Sequence, residues 1–213
     1  MDNYIITISR EFGSGGRPIG EGLAKDLGIP FYDKEILHMA AEKSGLSPDF
    51  IQKGDETLSS SFLHNLKYVA YSGFDSMSYY SGLDTMSYYD TPITDKVFHT
   101  QATVIKEIAS QGNCVIVGRC ADYILRDHPG LIRVFVRGKL EDRVKFAIDN
   151  YDLSSQKATE EIKKIDKQRA NYYKYYTTRQ WASIQNFDIV INSSMSGVDG
   201  AISIIKTMIG VAE

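Results

Sequence analysis

Cysteine is scarce in this chain, with two residues, Cys114 and Cys120, among 213. One pair cannot make the disulfide framework of a small secreted domain, and the C-x5-C spacing matches no standard zinc pair. The four histidines are scattered, so no resident metal site is expected from these residues. Long apolar runs are also missing: none approaches the roughly 20 residues needed to span a bilayer. The opening "MDNYIITIS" lacks the basic region and small-residue cleavage site of a signal peptide. A net charge of −3 leaves no global basic field for a nucleic acid, although local basic clusters can still bind small anions. These absences predict a reduced, cytoplasmic protein without membrane or nucleic-acid partners. The length suits one sizeable core with room for a mobile subdomain.

What is present is an alternation of short apolar runs and helical spacing. "YIITIS" (4–9) is rich in β-branched residues and reads as a buried strand. From Pro18 the spacing changes: Ile19, Leu23 and Leu27 recur at four, and Gly28 punctuates the end. "IPFYD" (29–33) reads as a second strand and "KEILHMAAEKSG" (34–45) as a helix. Residues 95–112 repeat helically at Val97, Val104 and Ile108. "NCVIVG" (113–118), "LIRVFVRG" (131–138) and "FDIVINSS" (187–194) read as further strands. Leu140, Val144 and Ile148 mark a helix, residues 155–176 a long polar helix, and Val198, Ile202, Ile205 and Ile209 a terminal one. Continuous apolar strands separated by helices predict an α/β fold, a parallel sheet of about five strands covered on both faces. Ligands in such folds sit at the carboxyl ends of strands. Gly13–Arg17, Asp33, Gly118–Arg119 and Arg137 fall there.

One internal repeat stands out: "SGFDSMSYY" (72–80) runs directly into "SGLDTMSYY" (81–89). Two copies are too few for a solenoid. The repeat is either a duplication in a surface loop or a tyrosine-rich lobe facing a substrate or another subunit, which leaves a homo-oligomer open.

The stretch "SREFGSGGRPIG" (9–20) joins the first strand to the first helix. A phosphate bound at a helix N-terminus needs closely approaching backbone N–H groups, and glycine permits the approach. Gly13, Ser14, Gly15 and Gly16 supply that. Set against G-x-x-x-x-G-K-[ST], however, Glu11 stands at the first glycine, Arg17 at the lysine and Ile19 at one hydroxyl position.

Together with its flanks, "ITISREFGSGGRPIGEGLAKDLGIPFYDKEIL" resembles the opening of the cytidylate kinase-like branch of the P-loop nucleoside monophosphate kinases. "VIVGRCADYIL" (115–125) resembles that family's glycine–arginine motif, and "LEDRVKF" (140–146) the approach to its lid. "DKQRANYYKYY" (166–176) followed by "FDIVINSS" resembles its arginine lid and closing strand. The patches run in family order along nearly the whole chain. The resemblance implies a single P-loop NTPase domain, a three-layer sandwich with a central first strand. It also implies a helical acceptor-binding insert at about 46–95 and a helical lid at about 150–182. The implied activity is phosphoryl transfer from ATP, with Mg2+, to a nucleoside monophosphate such as CMP, with nucleotides as the partners.

Individual residues carry two readings each. Arg17 is always cationic and able to bind phosphate bidentately, or it is a surface arginine. Pro18 suits a first helical turn but removes one amide that could face phosphate. Ile19 cannot ligate magnesium, so Ser14, Ser9 or Asp33 would have to help. Glu11 brings negative charge that a bridge to Arg10 or Arg17 would relieve. Asp33 either caps the next helix or, by the resemblance, faces the acceptor or the metal. Arg119 binds the acceptor phosphate or forms a structural pair. Many family members carry an acidic residue after it; Cys120 stands here, which puts recognition of cytosine in question. Arg169 shares a helical face with Ile162, Ile165, Tyr172 and Tyr176. It meets either Asp166 or a phosphate on lid closure. Arg143 and Lys163 are weaker lid candidates, and Trp181 is assigned to packing. The catalytic set is thus Arg17, Asp33, Arg119 and Arg169, and the nucleotide loop Gly13, Ser14, Gly15, Gly16 and Arg17. The departures from the loop pattern also fit a nucleotide-binding regulatory module without catalysis.

Overall fold

The computed structural model describes residues 4–44, 93–151 and 153–211. The tyrosine-rich duplication, and all of the expected insert up to residue 92, lie outside the described residues.

Five strands form one parallel sheet: β1 (Ile5–Arg10), β2 (Phe31–Tyr32), β3 (Cys114–Val117), β4 (Leu131–Arg137) and β5 (Ile189–Asn192), in the order β2-β3-β1-β4-β5. The first strand is central, in register with β3 from Ile5↔Cys114 to Ile8↔Val117 and with β4 from Ile5↔Leu131 to Arg10↔Val136. The connecting helices are α1 (Gly16–Leu27), α2 (Glu35–Ser44), α3 (Ile93–Ser110), α4 (Ala121–Ile124), α5 (Leu140–Tyr151), α6 (Ser155–Thr177) and α7 (Ser193–Met208). Every expected strand is present. β2 is shorter than the apolar run around it, and the one-turn helix α4 had no apolar repeat long enough to announce it.

Alternation along the strands builds the two cores. Ile5, Cys114 and Ile116 face α2, α3 and α4. Ile6, Ile8, Val115, Val117, Val134 and Val136 face Ile19 and Leu23 of α1 and Ile202 and Ile205 of α7. Fully burying an isoleucine or leucine side chain contributes roughly 1.5–3 kcal/mol, and many of these are wholly inaccessible. Phe135, of opposite parity in β4, stacks edge-on with Trp181 at 5.4 Å and meets Phe187 at 5.0 Å. Among the described residues, no helix is long and apolar enough to cross a membrane.

The strand order decides where a ligand can sit. The chain leaves β1 toward β2 on one side and leaves β4 toward β5 on the other. The chain's direction reverses beside β1, which places a ligand beyond the carboxyl ends of β1 and its neighbours. The long helix α6 packs against α5 and lays its aromatic face over this end of the sheet, where Tyr173 joins the core.

One buried polar contact fastens α6 there: the Tyr173 hydroxyl donates to Asp122 Oδ2 at 2.6 Å. Burial raises the Asp122 carboxyl above its ordinary value, and the Tyr173 bond opposes that only in part. Its second oxygen has no hydrogen-bond partner among the described residues. At a pH between the unfolded and the folded values, the folded state therefore holds a proton that the unfolded chain has released. This contribution to stability is fully present below the ordinary aspartate value of about 3.9 and is lost as pH rises above it. Urea unfolding from about pH 4 to neutrality tests this. Wild type is expected to lose stability relative to Asp122→Asn as pH rises. A difference independent of pH would contradict it.

Candidate active site

The glycine loop is built by fixed neighbours. Gly13 (φ 78°) and Gly15 (φ 76°) are left-handed and alternate with negative-φ Ser14 and Gly16, a pattern that turns successive N–H groups to one side. A methyl at Gly13 would lie 2.5 Å from the Arg143 carbonyl oxygen, so the turn admits no side chain there. Ser14 is buried, its hydroxyl directed at the carbonyls of Glu11 (2.9 Å) and Val136 (3.1 Å). The backbone N–H groups of Gly13, Gly15, Gly16 and Arg17 have no acceptor among the described residues.

Arg143 holds the approach to this loop. Its Nε donates to the Phe12 carbonyl at 2.8 Å, Nη1 lies 3.3 Å from Glu11, and Nη2 pairs with Asp166. Asp166 in turn accepts the Phe12 N–H at 2.8 Å, and Glu11 accepts the Gly138 N–H at 3.0 Å. Two expectations are corrected here. Glu11 is neutralised by Arg143 rather than by Arg10 or Arg17. Asp166 makes its ion pair with Arg143 and leaves Arg169 to another bond. Arg143 itself, buried on α5, clamps the loop.

Asp33, itself buried, accepts Arg17 Nε at 3.0 Å and lies 3.9 Å from Arg10 Nη2. Its own N–H donates to Glu35, which holds the Glu35 carboxyl below its ordinary value. Arg17 remains nearly half exposed.

Beyond the β1 and β3 ends lies a cavity of about 260 Å³. Arg10, Arg119 and Arg169 line it together with Tyr172, Tyr173, Trp181 and Gln168. No carboxylate is among the described residues lining it. Arg119 and Cys120 follow Gly118 in a run of three left-handed residues (φ 58°, 55° and 77° respectively). Such a conformation costs a residue with a side chain roughly 1–3 kcal/mol, and here it aims Arg119 at the cavity. Arg169 Nη1 donates to the Arg10 carbonyl at 2.9 Å, and its guanidinium lies 5.7 Å above the Phe12 ring. Burial, and next the Arg10 charge, push the Arg169 guanidinium down to about 9. Burial likewise lowers Arg10, with Asp33 opposing and Arg119 adding repulsion. Both remain cationic at neutral pH. Burial raises the Cys120 thiol well above its ordinary value, which makes it a packed thiol rather than a nucleophile.

The expected residues therefore divide. Arg119 and Arg169 meet in one cavity; Arg17 and Asp33 stand beside it, joined to it through Arg10. Trp181 lines the cavity as well as packing on Phe135. Arg10 was missed in the sequence, although it meets the criterion that selected Arg119: an arginine at the carboxyl end of an apolar strand. Asn192 caps α7 by accepting the Ser194 N–H at 3.2 Å. Ser193 bonds the Arg137 carbonyl at 3.0 Å. As to magnesium, Ile19 is buried and the Ser14 hydroxyl is turned to carbonyls. Asp33 and Ser9 remain as oxygen donors near the loop. One carboxylate with water and phosphate is a usual magnesium set, so a nucleotide-bound ion fits. Among the described residues, no group of three side chains could hold a metal alone.

Several solved structures share this fold. An uncharacterised protein from Eubacterium ventriosum ATCC 27560 is 25% identical, with a TM-score of 0.68 over 97% of this chain and 98% of its own. Shikimate kinase from Acinetobacter baumannii, in complex with shikimate, is 14% identical with a TM-score of 0.51 over 98% and 94%. A sugar kinase from Janibacter sp. HTCC2649 is 14% identical with a TM-score of 0.52 over 99% and 96%. The likeness to the two kinases is one of fold. No curated protein is a significant match. Residues 5–195 match the model of the cytidylate kinase-like family, and the chain, with the three-layer fold of P-loop kinases, belongs to that family.

Proposed function

We propose that this chain is an ATP-dependent kinase, acting in the cytoplasm, that transfers a phosphoryl group to a nucleoside monophosphate of the CMP type. The observation that carries this reading is the convergence of Arg10, Arg119 and Arg169 on one cavity, with no carboxylate among the described residues lining it, beside a glycine loop whose N–H groups have no acceptor among the described residues. Phosphoryl transfer demands little covalent chemistry from a protein. It demands alignment of two phosphorylated molecules and compensation of the charge between them. The loop N–H groups and the N-terminus of α1 suit the donor phosphates. Arg119 and Arg169 suit the acceptor phosphate, since a guanidinium grips two oxygens at once. Tyr172 and Trp181 offer flat apolar surface for a base. Asp33 and Ser9 are the residues that would hold magnesium, which when bound neutralises charge on the donor phosphates.

The family match and the kinase fold support this class of reaction; the choice of CMP rests on the resemblance of the motifs. A second reading is a nucleotide-binding regulatory module, favoured by Ile19 and by the diversion of Arg17 to Asp33. Magnesium-ATP supplied with a panel of nucleoside monophosphates distinguishes the two, with ADP formation as the readout. Turnover is expected, with CMP among the better acceptors, and Arg119→Ala should lower kcat/KM for the acceptor roughly 10²-fold or more, the scale of losing a charged contact to phosphate. Calorimetric nucleotide binding without turnover on any acceptor would transfer the assignment to the regulatory module.

A further inference from the structure

We propose that the cation facing the transferred phosphoryl group is Arg10, the last residue of β1, and that Arg17 is a positioning residue acting through Asp33. This inference rests on the kinase reading above. A strict phosphate-binding loop presents a lysine from the first turn of its helix. Arg17 occupies that position, but its Nε is taken by Asp33 at 3.0 Å, its side chain is 47% exposed, and it is not among the residues lining the cavity.

Arg10 occupies the space that this leaves. Its side chain runs through a lane between two loops that are distant in sequence. A methyl group at Gly16 would lie 2.5 Å from Arg10 Cβ and 2.8 Å from its Cγ, and one at Gly118 would fall on Arg10 Nη1. Two glycines, one from the phosphate loop and one from the β3 turn, thus keep open the path by which this guanidinium reaches the cavity. The Arg10 backbone is fastened by Arg169 at its carbonyl. Among the described residues its charge meets a carboxylate at 3.9 Å, Asp33, while two further guanidiniums, of Arg119 and Arg169, line the same cavity. An anion entering there meets Arg10 and Arg169, both largely desolvated, where a charged contact is stronger than in water.

The guanidinium stands between the donor side, marked by Gly16, and the acceptor side, marked by Gly118 and Arg119. It is placed to bind oxygens of the group in flight. In the reaction, the bond from the γ-phosphorus to the bridging oxygen breaks and its electron pair stays on ADP. A bond forms from that phosphorus to an oxygen of the acceptor phosphate dianion, so no proton has to be removed. Charge shifts onto the ADP oxygen and the equatorial oxygens, and a fixed cation there lowers the barrier.

Steady-state kinetics with magnesium-ATP and CMP tests this on Arg10→Gln, Arg10→Lys, Gly118→Ala and Arg17→Gln. Arg10→Gln is expected to lower kcat roughly 10²–10³-fold, as loss of one transition-state donor does, with KM rising by a smaller factor because the same guanidinium also binds the ground-state anion. Arg10→Lys should recover part of the rate, and Gly118→Ala, which keeps the charge but blocks its lane, should lose kcat similarly. Arg17→Gln should chiefly raise KM for ATP, with Arg17→Lys restoring it. Thermal unfolding confirms that each variant is folded. Wild-type kcat in a folded Arg10→Gln, or a larger kcat loss in Arg17→Gln, overturns the proposal. If wild type turns over no acceptor, the kinase reading fails by itself. Calorimetry with pyrophosphate then decides on Arg10: weakened binding in Arg10→Gln supports the anion role, and equal binding refutes it.

Discussion

Three guanidinium groups that repel one another are held around a single cavity, and the fold has to oppose that repulsion before any ligand arrives. Each comes from a different element: Arg10 from the end of β1, Arg119 from the turn after β3, and Arg169 from the middle of α6. The parallel sheet brings the first two side by side, because β1 and β3 are paired in register up to Ile8 and Val117. The third arrives by long-range fastening, through its bond to the Arg10 carbonyl and the contact of Tyr173 with Asp122. Strain at Arg119 and Cys120, and depressed guanidinium values at Arg10 and Arg169, are the local costs of this assembly. Such costs are tolerated where the surrounding core over-determines the geometry, and they concentrate at functional sites.

A second set of contacts fixes the loop next to this cationic cluster. Arg143, Asp166 and Glu11 form a closed ion network around the Phe12 peptide group. The network pairs Glu11 and Asp166 with Arg143, so Glu11 does not oppose phosphate as its position in the sequence suggests. It also couples α5 and α6 to the loop: movement of the long helix would release Asp166 from Phe12 and Arg169 from Arg10 together. The position of α6 and the organisation of the loop are in this sense fixed by one set of contacts.

The fold was legible because its signals are local. Runs such as "CVIV" and "IVIN" declare buried strands, spacing of three and four declares the helices, and glycines mark the turns between them. Arg119 and Arg169 were legible for a related reason: one follows a strand and the other interrupts an apolar helical stripe. The ion partners were not. Phe12 and Asp166 are 154 positions apart and Phe12 and Arg143 are 131 apart, and no periodicity reports such pairings. The pairing of Arg17 with Asp33 was equally hidden, since only the three-dimensional placement of Asp33 shows it. Arg10 was hidden by appearing to be the tail of a strand, and the glycines that reveal it, Gly16 and Gly118, lie in different motifs.

Convergence of the three arginines on one anion is the central claim, and a crystal structure with tungstate bound as a heavy phosphate analogue tests it most directly. The oxyanion is predicted within hydrogen-bond distance of the Arg10, Arg119 and Arg169 guanidiniums. An anion bound instead at Arg17 and Asp33, with the cavity between β1, β3 and α6 left without one, would contradict it.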